Sequence, residues 1–145
     1  MTDWRALNAQ AIDAIRAAPA GPYTEGEPIR RVIMVTGRRS GRPRPFAINV
    51  TQIGGQHYLC SATRRRDWFR NLMAAGECVV ERDGPDDSRH VPVLVEGTEA
   101  VTALMTYLPK AGYADPELPF PVDAPAELIA PHTGAIAVVR LDPAG

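Results

Sequence analysis

Four arginines fall within nine residues, Thr36-Gly37-Arg38-Arg39-Ser40-Gly41-Arg42-Pro43-Arg44, between two strand-like apolar runs. Such a turn is a poor packing element and a good anion cradle. Its glycines let the backbone fold closely, leaving amide N–H groups and guanidinium forks to meet phosphate or carboxylate oxygens. A second basic cluster, Ser61-Ala62-Thr63-Arg64-Arg65-Arg66-Asp67-Trp68, runs from a strand end into a helix N-terminus. There the positive end of the helix dipole and free backbone donors add to three guanidinium groups. Residues 30–70 hold ten of the sixteen basic residues and one acid, Asp67, so that stretch carries +9 and the remainder −10. The two clusters bracket one hairpin and together define a polyanion site. Trp68 beside it could wall a flat aromatic ligand. Asn71, one turn further, is placed to bond that ligand or to tie down the neighbouring loop.

The rest of the sequence narrows the chemistry. Against nucleic acid stand the acidic remainder, a single lysine and the lack of alternating aromatics for base stacking. His57, His90 and His132 have no metal-ligand spacing and read as ordinary strand or loop residues. Ser40 and Ser61 are not set in a nucleophile elbow. The Asp83–Asp87 run reads as a solvated turn. With little acid, base or nucleophile chemistry of its own, an enzyme built on this chain needs a cofactor to carry the reaction.

The elements that must hold these residues follow from periodicity. The 145 residues suit one domain, 1–145. Trp4, Leu7, Ala11, Ile12 and Ile15 share one helical face, so 1–19 is an amphipathic helix stopped by Pro19 and Pro22. Residues 29–36 are nearly continuous apolar sequence, a strand buried on both faces. Residues 45–53 alternate and turn through Gly54-Gly55 into the strand 56–61. Asp67 caps a short helix over Trp68–Ala75 that Gly76 ends. Residues 78–82 and 89–96 form a second hairpin, with Pro92 placing the latter near an edge. Thr98–Leu108 repeats Val101, Leu104, Met105 and Leu108 at helical spacing. Six prolines interrupt residues 109–131. The segment 109–132 is long for a connection, and is either a pocket lid or a wrap over an open barrel edge. Thr133–Leu141 closes the chain as an alternating strand. Six strands, three helices and no βαβ rhythm predict a mainly β (α+β) antiparallel barrel with helices over its openings. No apolar run reaches membrane-span length. The opening residues lack a secretory pattern, and Cys60 and Cys78 read as buried thiols of a reducing cytoplasm.

Val35-Thr36-Gly37-Arg38-Arg39-Ser40-Gly41-Arg42-Pro43-Arg44 resembles the TxGRxSGxPR segment of the deazaflavin-dependent nitroreductase family. Asp67-Trp68-Phe69-Arg70-Asn71-Leu72-Met73-Ala74-Ala75-Gly76 is similar to that family's xWxxNLxAxx helix. The two motifs, in the family's order and at a similar spacing, cover residues 29–82, over a third of the chain. The resemblance implies a split β-barrel of the pyridoxamine-phosphate-oxidase-like superfamily. It further implies binding of coenzyme F420, a deazaflavin with a phosphate and an oligoglutamate tail. Arg38, Arg39, Ser40 and Arg44 would then hold phosphate and tail. Ser61, Ala62, Thr63 and Arg64 would offer backbone donors to the ring system, with Trp68 and Asn71 shaping the pocket. Tyr107 and Tyr113 are the candidates for a proton donor. The expected activity is hydride transfer from reduced F420 to a small conjugated or nitro-type organic acceptor. FMN in place of F420, a non-catalytic carrier of a deazaflavin, flavin or heme-like ligand, and a homodimer sharing the site stay open as alternatives.

Overall fold

In a computed structural model of the chain, which describes residues 3–111 and 115–145, six strands form a closed barrel. The strands are β1 (Pro28–Thr36), β2 (Pro43–Ile53), β3 (Gln56–Ser61), β4 (Cys78–Val80), β5 (Ser88–Leu94) and β6 (Ala137–Pro143). All pairs are antiparallel, and the strands close in the order β1-β2-β3-β6-β5-β4. The expected six-stranded antiparallel barrel is therefore present. The α-helices are α1 (Trp4–Ala17), α2 (Asp67–Ala75), α3 (Gly97–Tyr107) and the single-turn α4 (Ala126–Ile129). No helix among the described residues is long and apolar enough to cross a membrane.

Alternation along the strands sorts side chains into two cores. In β6, Ala137, Val139 and Leu141 face the barrel interior with Ile33, Val50 and Leu59. Val138 faces outward, where Ala100, Ala103 and Leu104 of α3 and Ile129 of α4 cover it. The period of two thus feeds both cores from one strand. Gly54 and Gly55 take φ of +59° and +77°, the left-handed pair that a two-residue hairpin needs. Gly76 ends α2 at φ +71°, its N–H bonded to the Leu72 carbonyl.

Four expectations need correction. Only Ile12 of the α1 stripe is buried, and Trp4 and Leu7 are 74% and 46% exposed, because the helix lies along β2 by its middle and C-terminal turns. Asp67 is the first residue of α2 and not its cap. Its carboxylate sits in the dipole's first turn and turns to Arg38 at 3.2 Å. In α3 the buried face is Ala100, Val101, Ala103 and Leu104, while Met105 faces solvent. β6 begins at Ala137, not Thr133, because Pro131 starts a 3-10 turn over Ala130–His132 that carries the chain to Ile136. Pro92 sits as expected on a stretch of β5 with one partner strand, since β4 pairs only as far as His90.

The Asp83–Asp87 turn is not simply solvated. The Asp83 side chain is 10% exposed; it accepts the Tyr23 hydroxyl and lies 3.0 Å from His90 Nε2. Tyr23 stacks on His57 at 3.9 Å, and the Arg31 guanidinium lies over the Tyr23 ring, 4.6 Å from its centre. Arg31, in a run read as apolar, is itself buried and donates to the Gly21 carbonyl at 2.5 Å. This polar plug closes the barrel end where β1 and β3 begin and β6 finishes. The opposite end carries the basic clusters, and Phe69 and Leu72 of α2 pack into the interior core there.

Candidate functional site

The turn between β1 and β2 is built by its own backbone. The Gly37 N–H reaches the Arg42 carbonyl at 2.8 Å and the Gly41 N–H reaches the Gly37 carbonyl at 2.9 Å. Gly41 stands at φ +68°, and the Ser40 hydroxyl accepts the Arg42 N–H at 3.2 Å. Gly37 is required by space. A Cβ there would stand 2.8 Å from Ser40 Oγ and 3.0 Å from Arg44 Cγ. Gly37→Ala is therefore expected to cost about 1–2 kcal/mol of stability and to weaken anion binding by displacing Ser40 and Arg44. Thermal melts with and without phosphate check both.

Asn71 does tie down the loop. Its Oδ1 accepts the Arg38 N–H at 3.1 Å and the Arg38 Nη1 at 2.7 Å. Across the same opening Phe46 and Trp68 stack at 5.5 Å with planes 20° apart, and Phe69 braces the indole edge-on at 6.1 Å. Asn8 of α1 stitches the helix to this wall, accepting the Ala47 N–H at 3.2 Å and donating to the Pro45 carbonyl at 3.4 Å.

These parts line one cleft of about 1010 Å³. Arg38, Arg39, Ser40, Arg44, Ser61, Ala62, Trp68, Asn71 and Tyr107 all line it. Thr63 and Arg64 do not. Thr63 is buried and its Oγ1 accepts the Arg65 N–H at 3.2 Å. The Arg64 fork turns away to the carbonyls of Ile136 and Thr133, each at 3.1 Å, and to Glu96 at 2.8 Å. Arg64 is thus a clamp between β3 and the start of β6. Tyr113 lies outside the described residues.

The cleft also uses residues that no motif singled out. Trp4 and Arg5 line its mouth from α1, and Asp115, Glu117 and Leu118 line it from the proline-rich segment. Helical periodicity had assigned Trp4 to the buried stripe. The acids of 115–117 carried a signal in their charge, opposite to the basic clusters they face.

Ion pairs divide the arginines into two sets. Arg38 meets Asp67, Arg65 meets Glu117, and Arg66 meets Asp115 at 2.7 Å and Glu117 at 3.4 Å. Among the described residues no carboxylate pairs with Arg5, Arg39 or Arg44, which all line the cleft. The uncommitted positive charge is therefore concentrated at the α1 and β1–β2 side of the opening. Cys60 also lines it, but burial pushes its thiol up to about 12, which leaves no thiolate at neutral pH. Among the described residues, no three or more His, Cys, Asp or Glu side chains are grouped to hold a metal ion.

No protein-family model matches the chain and no curated protein matches it, but solved structures share its fold. An F420 reductase is 17% identical with a TM-score of 0.52, over 88% of this chain and 97% of that one. An F420-H2 dependent reductase is 17% identical with a TM-score of 0.53, over 85% of this chain and all of that one, 100%. A heme binding protein from Mycobacterium smegmatis is 16% identical with a TM-score of 0.52, over 97% of this chain. This chain spans 52% of that protein's length. The shared architecture is the split β-barrel.

Proposed function

We propose that the cleft binds coenzyme F420 and that the protein is a reductase acting on a small conjugated or nitro-type organic acceptor. The observation that carries this reading is the placement, in one cleft, of a stacked Phe46–Trp68 wall beside Arg39 and Arg44, neither of which has a carboxylate partner among the described residues. A flat ring needs the wall and an anionic tail needs the arginines. A volume of about 1010 Å³ suits a dinucleotide-sized ligand and exceeds what a small acceptor alone would fill. The fold shared with an F420 reductase and an F420-H2 dependent reductase supports the same reading.

When bound, reduced F420 supplies the hydride. The chain's own residues orient and enclose. Arg39 and Arg44 hold phosphate and carboxylate oxygens, and Arg38, fixed by Asn71, stiffens the turn that presents them. Trp68 and Phe46 would form an aromatic wall for the ring, with Ser61 and Ala62 at the end of β3 lining the same cleft. Most of the acceleration then comes from holding acceptor and ring together and keeping water out. Tyr107 lines the same cleft and is the candidate proton source at the acceptor. Tyr107→Phe is expected to lower turnover about tenfold with F420 affinity unchanged, read from steady-state kinetics and a binding titration.

Two observations bear on the alternatives. No histidine lines the cleft among the described residues, and the Cys60 thiol is held protonated, which favours a stacked ring over an axially ligated heme. FMN differs from F420 in lacking the oligoglutamate tail, so affinity and salt dependence separate the two. The test is a tryptophan-fluorescence titration with each, at low and moderate salt. Both Trp4 and Trp68 line the cleft, so each is replaced in turn by Phe. Saturable quenching by F420 that survives Trp4→Phe and is lost in Trp68→Phe supports the reading. Preference for FMN changes the chemistry, and no response to either removes the cofactor.

A further inference from the structure

The proline-rich segment meets the second basic cluster through its acids. Phe120 and Ala124 anchor it in the outer core downstream, and Leu118 packs against that core. From this anchorage Asp115 and Glu117 reach across the cleft mouth to Arg65 and Arg66. All four side chains line the cleft. The arrangement is a charge match between the chain's own carboxylates and the arginines that an anionic ligand would seek.

We propose that Asp115 and Glu117 are specificity-determining residues, an internal competitor that a ligand's anionic groups must displace from Arg65 and Arg66. This deepens the reading above, resting on the same cleft. It divides the cleft into two anion subsites of different character. Arg39 and Arg44 accept any anion directly. Arg65 and Arg66 accept one only by exchange, which an extended ligand with two or more separated negative groups can drive while its other end holds the first subsite. A small single anion stays at the first. The pairs differ in exposure: Asp115 opposite Arg66 (41% exposed) is only 17% exposed, whereas the Arg65–Glu117 pair is wet, at 68% and 39%, and is the one best suited to exchange. Pairs of this kind hold weakly, and water replaces them at little cost.

The ligand sets the charge requirement through this exchange, so removing the competitor should relax it. In Asp115→Asn/Glu117→Gln the two charges go and the shape stays, since Asn keeps the Oδ1 that accepts the Glu117 N–H at 2.9 Å. The test titrates the full chain calorimetrically with orthophosphate and with tripolyphosphate at one fixed ionic strength. Affinity of the double variant for tripolyphosphate is expected to rise about tenfold, and for orthophosphate less than about twofold. Adding Arg65→Gln/Arg66→Gln should abolish the gain. Glu127→Gln, an exposed acid that does not line the cleft, should leave both affinities unchanged. Tripolyphosphate affinity that is unchanged or lower in the double variant overturns the proposal. So does a gain that survives loss of Arg65 and Arg66, or one that Glu127→Gln reproduces. F420 is titrated in parallel. If neither protein binds F420, the cofactor reading fails while tripolyphosphate still decides the exchange. If both bind F420 and tripolyphosphate affinity does not rise, the exchange fails alone.

Discussion

Replacing Arg39 and Arg44 together with alanine is expected to weaken F420 binding by about a hundredfold or more. The two guanidinium groups line the cleft, and among the described residues neither is paired with a carboxylate. Their full donor capacity therefore meets a ligand without first breaking an internal contact. A hydrogen bond to a charged group contributes about 1.5–3 kcal/mol, so two such residues account for about 3 kcal/mol at the low end. The loss should come with a shallower dependence of affinity on salt, because fewer screened charges are involved. Arg42 is the internal control. It belongs to the same turn and carries the same charge, yet it does not line the cleft. Arg42→Ala should change affinity less than about threefold, the size of a screened surface charge. Equal losses in Arg42→Ala and the double variant would show that the turn acts only through its summed field. Arg38 needs separate treatment. Its backbone and side chain are both held by Asn71, so truncating it would loosen the turn as well as remove a charge.

The same contrast explains which parts of this molecule could be read from sequence. Local rules with one solution were legible. Gly54-Gly55 between two alternating runs and Gly76 after an amphipathic turn each follow from conformation alone. The two basic clusters were legible as clusters because charge concentrates along the chain before it folds. Their division was not. Whether an arginine is free, like Arg44, or committed, like Arg64, depends on carbonyls and acids more than thirty residues away. Periodicity misplaced Trp4 and Met105 for a related reason. A helical stripe marks a face able to be buried, and only the tertiary partner decides how much of it is covered. Arg31 and Asp83 failed in the other direction. Charged side chains read as exposed by default, and their burial needs partners from β3, β5 and the linker after α1 that no local pattern announces.

That buried network carries the largest stability effect expected in the molecule. Asp83→Ala removes the acceptor of the Tyr23 hydroxyl and the partner of His90 Nε2, at side chains 10% and 6% exposed for Asp83 and His90. It also frees the hydroxyl of Tyr23, whose ring lies under the buried Arg31 guanidinium at 4.6 Å. Breaking a buried charged network from one side costs about 3–5 kcal/mol, which for a domain of this size lowers the melting temperature by about 10 °C or more. The network also sets the acid limb of stability. Burial pushes the Asp83 carboxyl up, but hydrogen bonds from His90 and Tyr23 outweigh it and hold the group below its ordinary 3.8. A depressed carboxylate stabilises the fold at every pH above its unfolded value and loses that contribution as pH falls through its lower folded value. His57 acts earlier. Burial lowers its pKa from 6.5, against the pull of the Asp83 charge, so folding favours the neutral ring. Its contribution is complete above 6.5 and is lost as pH falls through its lower folded value. Melting temperature measured from pH 8 to pH 3 should therefore fall in two stages. In Asp83→Ala the second stage shrinks to what Glu25, Glu99 and Asp142, also held below their ordinary values, contribute, and the first deepens, because His57 has lost the charge that favoured its protonation. In His57→Gln the first stage disappears and the second remains. The plug closes the barrel end remote from the cleft, so Asp83→Ala should bind F420 with unchanged affinity at a temperature where it is fully folded. Lost affinity in a folded variant would couple the two ends of the barrel.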